Sequence, residues 1–223
     1  MRRTPEPELM LGEEHALAYA RADFAEPHQR FVTLLCERLP ALPARGAALD
    51  LGCGPADVTI RTARALAGWS IDGLDGSPAM LRLGREAVAA AGLAERISLL
   101  DALLPGARAP RERYDLVFSN SLLHHLADPL VLWREIARFA APGAPCFVMD
   151  LARPDSPEAA QRLTAQHAAG APPILQRDFL HSLHAAYQPD EVRAQIAAAG
   201  LAPLAVELVS DRHWIAWGVV APR

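Results

Sequence analysis

The chain of 223 residues contains no lysine; all 22 of its basic residues are arginine. Schiff-base chemistry through a lysine amine is therefore excluded, as is the phosphate-binding lysine of a P-loop. Cysteine is scarce as well. Cys36, Cys53 and Cys146 are odd in number and contain no C-x-x-C pair, so neither a disulfide framework nor a thiolate metal pair is expected, and buried thiols are the simpler reading. Apolar residues fall in short runs, far below the roughly 20 needed to cross a bilayer, and no membrane association is expected. Met1 to His15 mix proline, glutamate and arginine with no apolar block before a small-residue cleavage site, which predicts no secretory signal and a cytoplasmic location. A basic excess is also missing. The net charge of −4 and a pI of about 6.1 supply no overall field for a phosphate backbone, so nucleic acid is not expected as the principal partner.

What is present is a chain 51% hydrophobic, long enough for one substantial core, and residues 1–223 read as a single domain. Leu17, Phe24, Phe31, Leu34, Leu35 and Leu39 recur at three- and four-residue intervals, predicting two amphipathic helices over Glu13–Leu39, broken near Pro27, as an N-terminal helical cap (1–43). Its apolar face covers either the site or a second subunit, so a homodimer stays open. A short buried strand, Ala47–Leu51, then enters the turn Gly52-Cys53-Gly54-Pro55, with a helix expected over about Asp57–Leu66. Strands near Ser70–Leu74, Ile97–Leu100, Leu116–Ser119 and Cys146–Leu151 follow, with helices Pro78–Ala91 and Pro129–Phe139 among them. This alternation predicts a doubly wound α/β fold with a mainly parallel sheet of seven strands in all and helices on both faces, its core at 44–151. A helical insertion (154–187) over the substrate site, helix Pro189–Ala199 and two strands, Ala202–Val209 and Trp214–Val220, complete the chain (188–223).

Chemistry concentrates at Ala48-Leu49-Asp50-Leu51-Gly52-Cys53-Gly54-Pro55-Ala56-Asp57. In a doubly wound sheet this turn lies at the carboxyl end of the first strand, where ligands bind, and its glycines let backbone approach a ligand closely. The position suggests a nucleoside site. A pyrophosphate turn would want G-x-G-x-x-G, but the third glycine position holds Asp57, whose charge opposes a pyrophosphate, so an NAD or FAD enzyme is disfavoured.

The run Asp50-Leu51-Gly52-Cys53-Gly54-Pro55-Ala56 resembles the first motif of class I S-adenosylmethionine-dependent methyltransferases, with Ala56 standing where that family often has a third glycine. The resemblance extends in order from residue 48 to residue 151. It takes in Asp75-Gly76-Ser77-Pro78-Ala79-Met80-Leu81, with Asp75 lying 21 positions after Gly54, then Ser98-Leu99-Leu100-Asp101-Ala102, and then Tyr114-Asp115-Leu116-Val117-Phe118-Ser119-Asn120-Ser121-Leu122-Leu123-His124-His125-Leu126. It implies S-adenosylmethionine as cofactor. Asp50, Gly52, Cys53 and Gly54 would wrap its amino-acid part, with Asp50 toward the ammonium group, and Asp75 and Gly76 would hold the ribose. Met80 would line the adenine face, the Asp101 side chain and the Ala102 backbone N–H would meet the ring, and Asn120 of the fourth-strand motif would also bind the cofactor. The L-H-H segment places the chain beside small-molecule methyltransferases.

A sulfonium already activates its methyl, so the protein must mainly align a nucleophile and exclude water, and a general base is optional. His124 and His125 are candidates for that base, or for orienting substrate, packing or capping the next helix. Tyr19 closes the site from the cap or packs in the core. In the insertion, Arg153, Arg177 and His181 are the candidate substrate contacts; Arg153 would pair an anion bidentately or lie at the surface. Asp178, His181 and His184 recur every three residues and would share a helical face, yet no metal is assigned. Asp211, Arg212 and His213 stay unplaced. The acceptor expected is a small molecule. A tRNA or other nucleic-acid methyltransferase is the alternative, though Asn120 is not followed by the Asn-Pro-Pro-Tyr-like sequence of base-amino enzymes. A non-catalytic domain that binds the cofactor is another. Cys146 reads as core.

Overall fold

A computed structural model describes residues 1–6, 12–201 and 204–221. Its elements are helices α1 (Glu13–Arg21) and α2 (Ala25–Arg38), strand β1 (Gly46–Leu51), α3 (Asp57–Ala65), β2 (Trp69–Asp75), α4 (Pro78–Ala90), β3 (Ile97–Asp101) and β4 (Leu116–Asn120). A 3-10 turn (Leu123–His125), α5 (Leu130–Phe139), β5 (Pro145–Leu151), α6 (Pro157–His167), α7 (Pro173–Ala185), α8 (Pro189–Ala198), β6 (Ala205–Leu208) and β7 (His213–Val219) follow. The expected doubly wound sheet is present, seven-stranded in the order β3-β2-β1-β4-β5-β7-β6. All neighbours pair in parallel except β7, which runs antiparallel to both β5 and β6.

Period-two alternation divides the core into two layers. From β1, β4 and β5, Leu49, Leu51, Val117 and Val148 pack against Trp133 and Ile136 of α5 and Val192 and Ile196 of α8. Ala48, Phe118, Phe147 and Met149 face the other way, onto Phe31 and Leu35 of α2, Ile60 of α3 and Val88 of α4. The helix α2 is thus packed as a layer on the sheet, with Glu26, Pro27 and His28 of its first turn on the cavity wall; Ala16 and Tyr19 of α1 meet Met80 and Leu83 of α4 at the rim.

The central strands and helices begin and end within a residue of the sequence expectation. The N-terminal helices break at 22–24, not at Pro27, which occupies the first turn of α2, where a backbone N–H has no intrahelical partner and its loss costs nothing. The insertion is two helices, α6 and α7, packed through Ala160, Leu163, Leu183 and Phe179. The strand expected from Ala202 is shorter, starting at Ala205; Ala202 and Pro203 lie outside the described residues.

Candidate active site

Strand order reverses between β1 and β4, so a crevice opens at their carboxyl ends. There the chain forms a cavity of about 1210 Å³, running from the glycine turn and Asp75, past His124 and His125, to Phe179 of α7. Gly52 and Gly54 hold left-handed backbone, φ +77° and +52°. A side chain at Gly52 would strike Leu122 at 2.9 Å, whereas the space above Gly54 is open. A methyl there would fill the cradle. Ala56 also adopts φ 67°, one residue before α3, so this alanine accepts the backbone strain that a glycine would relieve.

Asp50 is buried on the cavity wall and accepts a hydrogen bond from Thr59 Oγ1 at 2.6 Å. Burial, helped by the nearby Asp75 charge and opposed by the Thr59 hydrogen bond, raises its pKa to about 7. A cationic group arriving at this wall would favour the ionised form. Asp75 Oδ2 accepts from Gly54 N at 2.8 Å and Oδ1 from Ser77 N at 2.8 Å. Each oxygen keeps one lone pair, so capacity for two further donors remains. Burial raises its pKa above the ordinary range despite those bonds. Met80, Gly76, Ala102, Cys53, Asn120 and Tyr19 share the wall. Burial also pushes the Cys53 thiol up, and with Asp57 and Asp75 nearby the Tyr19 phenol to about 12.

Asp57 opens α3 and pairs with His28 Nδ1 at 2.7 Å and Arg61 Nε at 2.8 Å. Burial acts to raise its pKa, but these partners outweigh it and keep the carboxyl below its usual range. A fixed anion therefore sits where a pyrophosphate would need the helix N-terminus.

At the fourth-strand end, Asp150 of β5 organises the histidines. Its Oδ1 lies 2.5 Å from His124 Nδ1, and Oδ2 accepts from Leu123 N at 2.7 Å. Burial works against the charge on both groups, but their mutual attraction prevails: Asp150 is held low and His124 is raised above 6.5, Glu6 adding to the latter. With Nδ1 engaged, the His124 ring presents Nε2 toward Glu6, 3.9 Å away.

Several expected contacts fall elsewhere. Arg153 is buried and pairs bidentately with Glu191, at 2.9 and 2.8 Å, while donating to the carbonyls of Met1 and Ala186. It fastens the start of α8 and has no place on the cavity wall. Arg177, more than half exposed, lies along Asp178, and neither it nor His181 reaches the wall. The face of α7 turned to the cavity is Leu175, Asp178, Phe179 and Ser182, one helical phase away from the residues expected. Asp101 is exposed and lies off the wall, and the Ala102 N–H, expected to meet a ring, is instead donated to Asp75 O at 3.0 Å. Among the described residues, Asp178, His181 and His184 do not converge; Glu6, His124 and His125 do, with their ligand-type atoms within 4.8 Å. Arg212 and His213, left unplaced by sequence, line the far wall, and Arg212 bonds His167 and Asp211 at 3.0 Å each. Glu6 and Ser182 were missed altogether, for the sequence around them carries no motif.

A parallel sheet with its cavity at the strand-order reversal, a glycine cradle and paired acidic groups defines a nucleoside-binding enzyme fold of the methyltransferase type. Residues 49–146 match the model of a methyltransferase domain family. A trans-aconitate 2-methyltransferase from Delftia acidovorans is 34% identical over 153 residues, covering 67% of this chain and 53% of that protein; the chain thus matches about half the length of such relatives. In fold, it resembles a S-adenosylmethionine-dependent methyltransferase from Aquifex aeolicus (TM-score 0.68, 16% identity, 94% of this chain and 99% of that one). It also resembles phosphoethanolamine N-methyltransferase 2 of Haemonchus contortus in complex with S-adenosylmethionine (TM-score 0.71, 13% identity, 97% and 59%). Residues 49–146 carry the methyltransferase domain on a fold shared with class I S-adenosylmethionine-dependent methyltransferases, and S-adenosylmethionine is the cofactor of that class.

Proposed function

We propose that the chain transfers the methyl of S-adenosylmethionine to a small-molecule acceptor. The observation that carries this is the cavity: it joins the glycine cradle to the histidine pair in one enclosure, and its volume exceeds the 300–1,000 Å³ range usual for a single ligand. The relatives named as trans-aconitate 2-methyltransferases support a compact acceptor.

The bound cofactor supplies an activated methyl on a sulfonium. Asp50 would hold its ammonium group, the Gly52–Gly54 turn would hold its amino-acid part, and Asp75 would accept from its ribose hydroxyls. Tyr19 and Met80 cover the enclosure and keep water out, which matters because alignment and dryness are most of what a methyl transfer needs. For an acceptor whose reacting atom carries a proton, His124, oriented by Asp150, takes it at Nε2 with His125 flanking it; an acceptor carboxylate is already ionised, and the two histidines only orient it.

The test is transfer of labelled methyl into small hydroxyl and amine acceptors, with trans-aconitate as the acceptor that has no proton to lose, followed as a function of pH. With the acceptors that carry a proton, His124→Gln is expected to lower kcat by about 100-fold or more. Because the base works unprotonated and its pKa is raised, wild-type activity toward those acceptors should fall as pH drops through a value above 6.5. A flat profile with an active His124→Gln enzyme would remove the base from the mechanism.

A further inference from the structure

Residues 1–6 lie against the acceptor end of the cavity. Thr4 N–H donates to His184 O at 3.0 Å. Arg3 donates from Nε to Ala185 O at 2.6 Å and from Nη2 to His124 O at 3.1 Å, with its guanidinium 4.2 Å from the Tyr187 ring centroid. These contacts carry the Glu6 side chain, only 3% exposed, into the cavity. Ser182 Oγ donates to Oε1 at 2.7 Å. Oε2 lies 2.5 Å from His125 Nδ1 and 3.9 Å from His124 Nε2.

A buried carboxylate costs several kcal/mol unless charge and hydrogen bonds meet it, so this end of the cavity is built to receive one. The fit of Glu6 is nonetheless incomplete. Its Oε2 and His125 Nδ1 lie 2.5 Å apart, yet among the described residues neither atom makes a hydrogen bond of ordinary geometry. A free acid, not tied to a backbone, could aim its oxygens at the same groups. Around them the wall is formed by Leu126, Leu151, Leu175 and Phe179, with the carboxylate of Asp178, which Arg177 pairs at 3.0 Å, on the same face of α7.

We propose that Glu6 occupies, from within the chain, the subsite for a carboxylate of the acceptor, and that an acidic acceptor binds by displacing it. This deepens the methyl-transfer reading and rests on it. Ser182, His125 and His124 then hold the acid, and the resident Glu6 acts as an intramolecular competitor. The apparent dissociation constant exceeds the intrinsic one by the reciprocal of the fraction of molecules in which Glu6 is withdrawn.

The experiment is calorimetric titration of the whole chain, first with S-adenosylhomocysteine and then, at saturation, with trans-aconitate or its neutral trimethyl ester. Trans-aconitate, and not the ester, should bind the wild type, and Glu6→Gln should bind it about tenfold more tightly with unchanged cofactor affinity. His125→Gln and Ser182→Ala should weaken it. The proposal is overturned if Glu6→Gln binds the acid no better, if neither protein binds it, or if the ester binds equally. It is also overturned if the wild type takes up one equivalent of Zn²⁺ that Glu6→Gln does not, which would make Glu6, His124 and His125 a metal triad. Loss of the cofactor titration itself would bring down the methyl-transfer reading along with this one, whereas failure of the acid titration alone brings down only this one.

Discussion

The two ends of the cavity are made in different ways. The glycine-turn end is backbone and short side chains: Gly52 and Gly54 in left-handed conformation, Asp75 tied to two N–H groups, and Asp50 on a single hydroxyl, all between consecutive elements of the parallel core. The acceptor end is assembled from distant pieces: Glu6 from the first residues, Ser182 and Phe179 from α7, and Arg212 and His213 from the start of β7. The first end is fixed by local chain geometry, so it follows from a short run of sequence. The second depends on how helices outside the core are rotated, and one residue of phase decides what faces inward.

The sharpest way to break this contrast is at Asp75. Asp75→Ala removes two acceptors for the ribose and should weaken S-adenosylmethionine by about 2–4 kcal/mol, measured calorimetrically; unchanged affinity would mean that the rigid end is not the cofactor end. Arg153→Ala should cost about 2–3 kcal/mol of stability in denaturant unfolding, because it strands Glu191 and two carbonyls, while acceptor KM stays put. A raised KM without loss of stability would return Arg153 to the substrate.

Asp50 gives a subtler distinction. Its pKa in the folded chain, about 7, exceeds the unfolded value, so the stability it confers falls as pH rises from the ordinary aspartate range to about 7. A ligand ammonium needs the ionised form, so cofactor affinity should move the opposite way, weakening as pH drops below 7 by up to about tenfold per unit. Titrations in buffers of different ionisation enthalpy should show proton release, absent in Asp50→Asn. The smallest effects separate the faces of α7. Phe179→Ala should raise acceptor KM several-fold, about 1 kcal/mol, and Arg177→Ala should change it by less than about 0.5 kcal/mol. The reverse order would put the helix in the other phase.

The same contrast explains what could be read in advance. The strands of the core, the glycine turn and Asp75 were legible because alternation and turn chemistry are local, and sequential strands lie beside one another. The break expected near Pro27 falls at 22–24, just before it, because proline in a first helical turn and proline at a break look alike in sequence. Arg153 looked like a free cation past a strand end; only the fold brings Glu191, 38 residues later, to meet it. Arg177 and His181 drew attention by residue type, but the cavity takes Asp178, Phe179 and Ser182, and nothing in a mixed helix with weak amphipathicity tells one face from the next. Glu6 gave no signal at all.

The most direct test of the account is calorimetric titration of the chain with S-adenosylmethionine beside NAD. The account predicts a single site for S-adenosylmethionine in the micromolar range or tighter, and none for NAD, since Asp57 guards the helix end that a pyrophosphate would use. Binding of NAD, or failure of S-adenosylmethionine to bind, would contradict it.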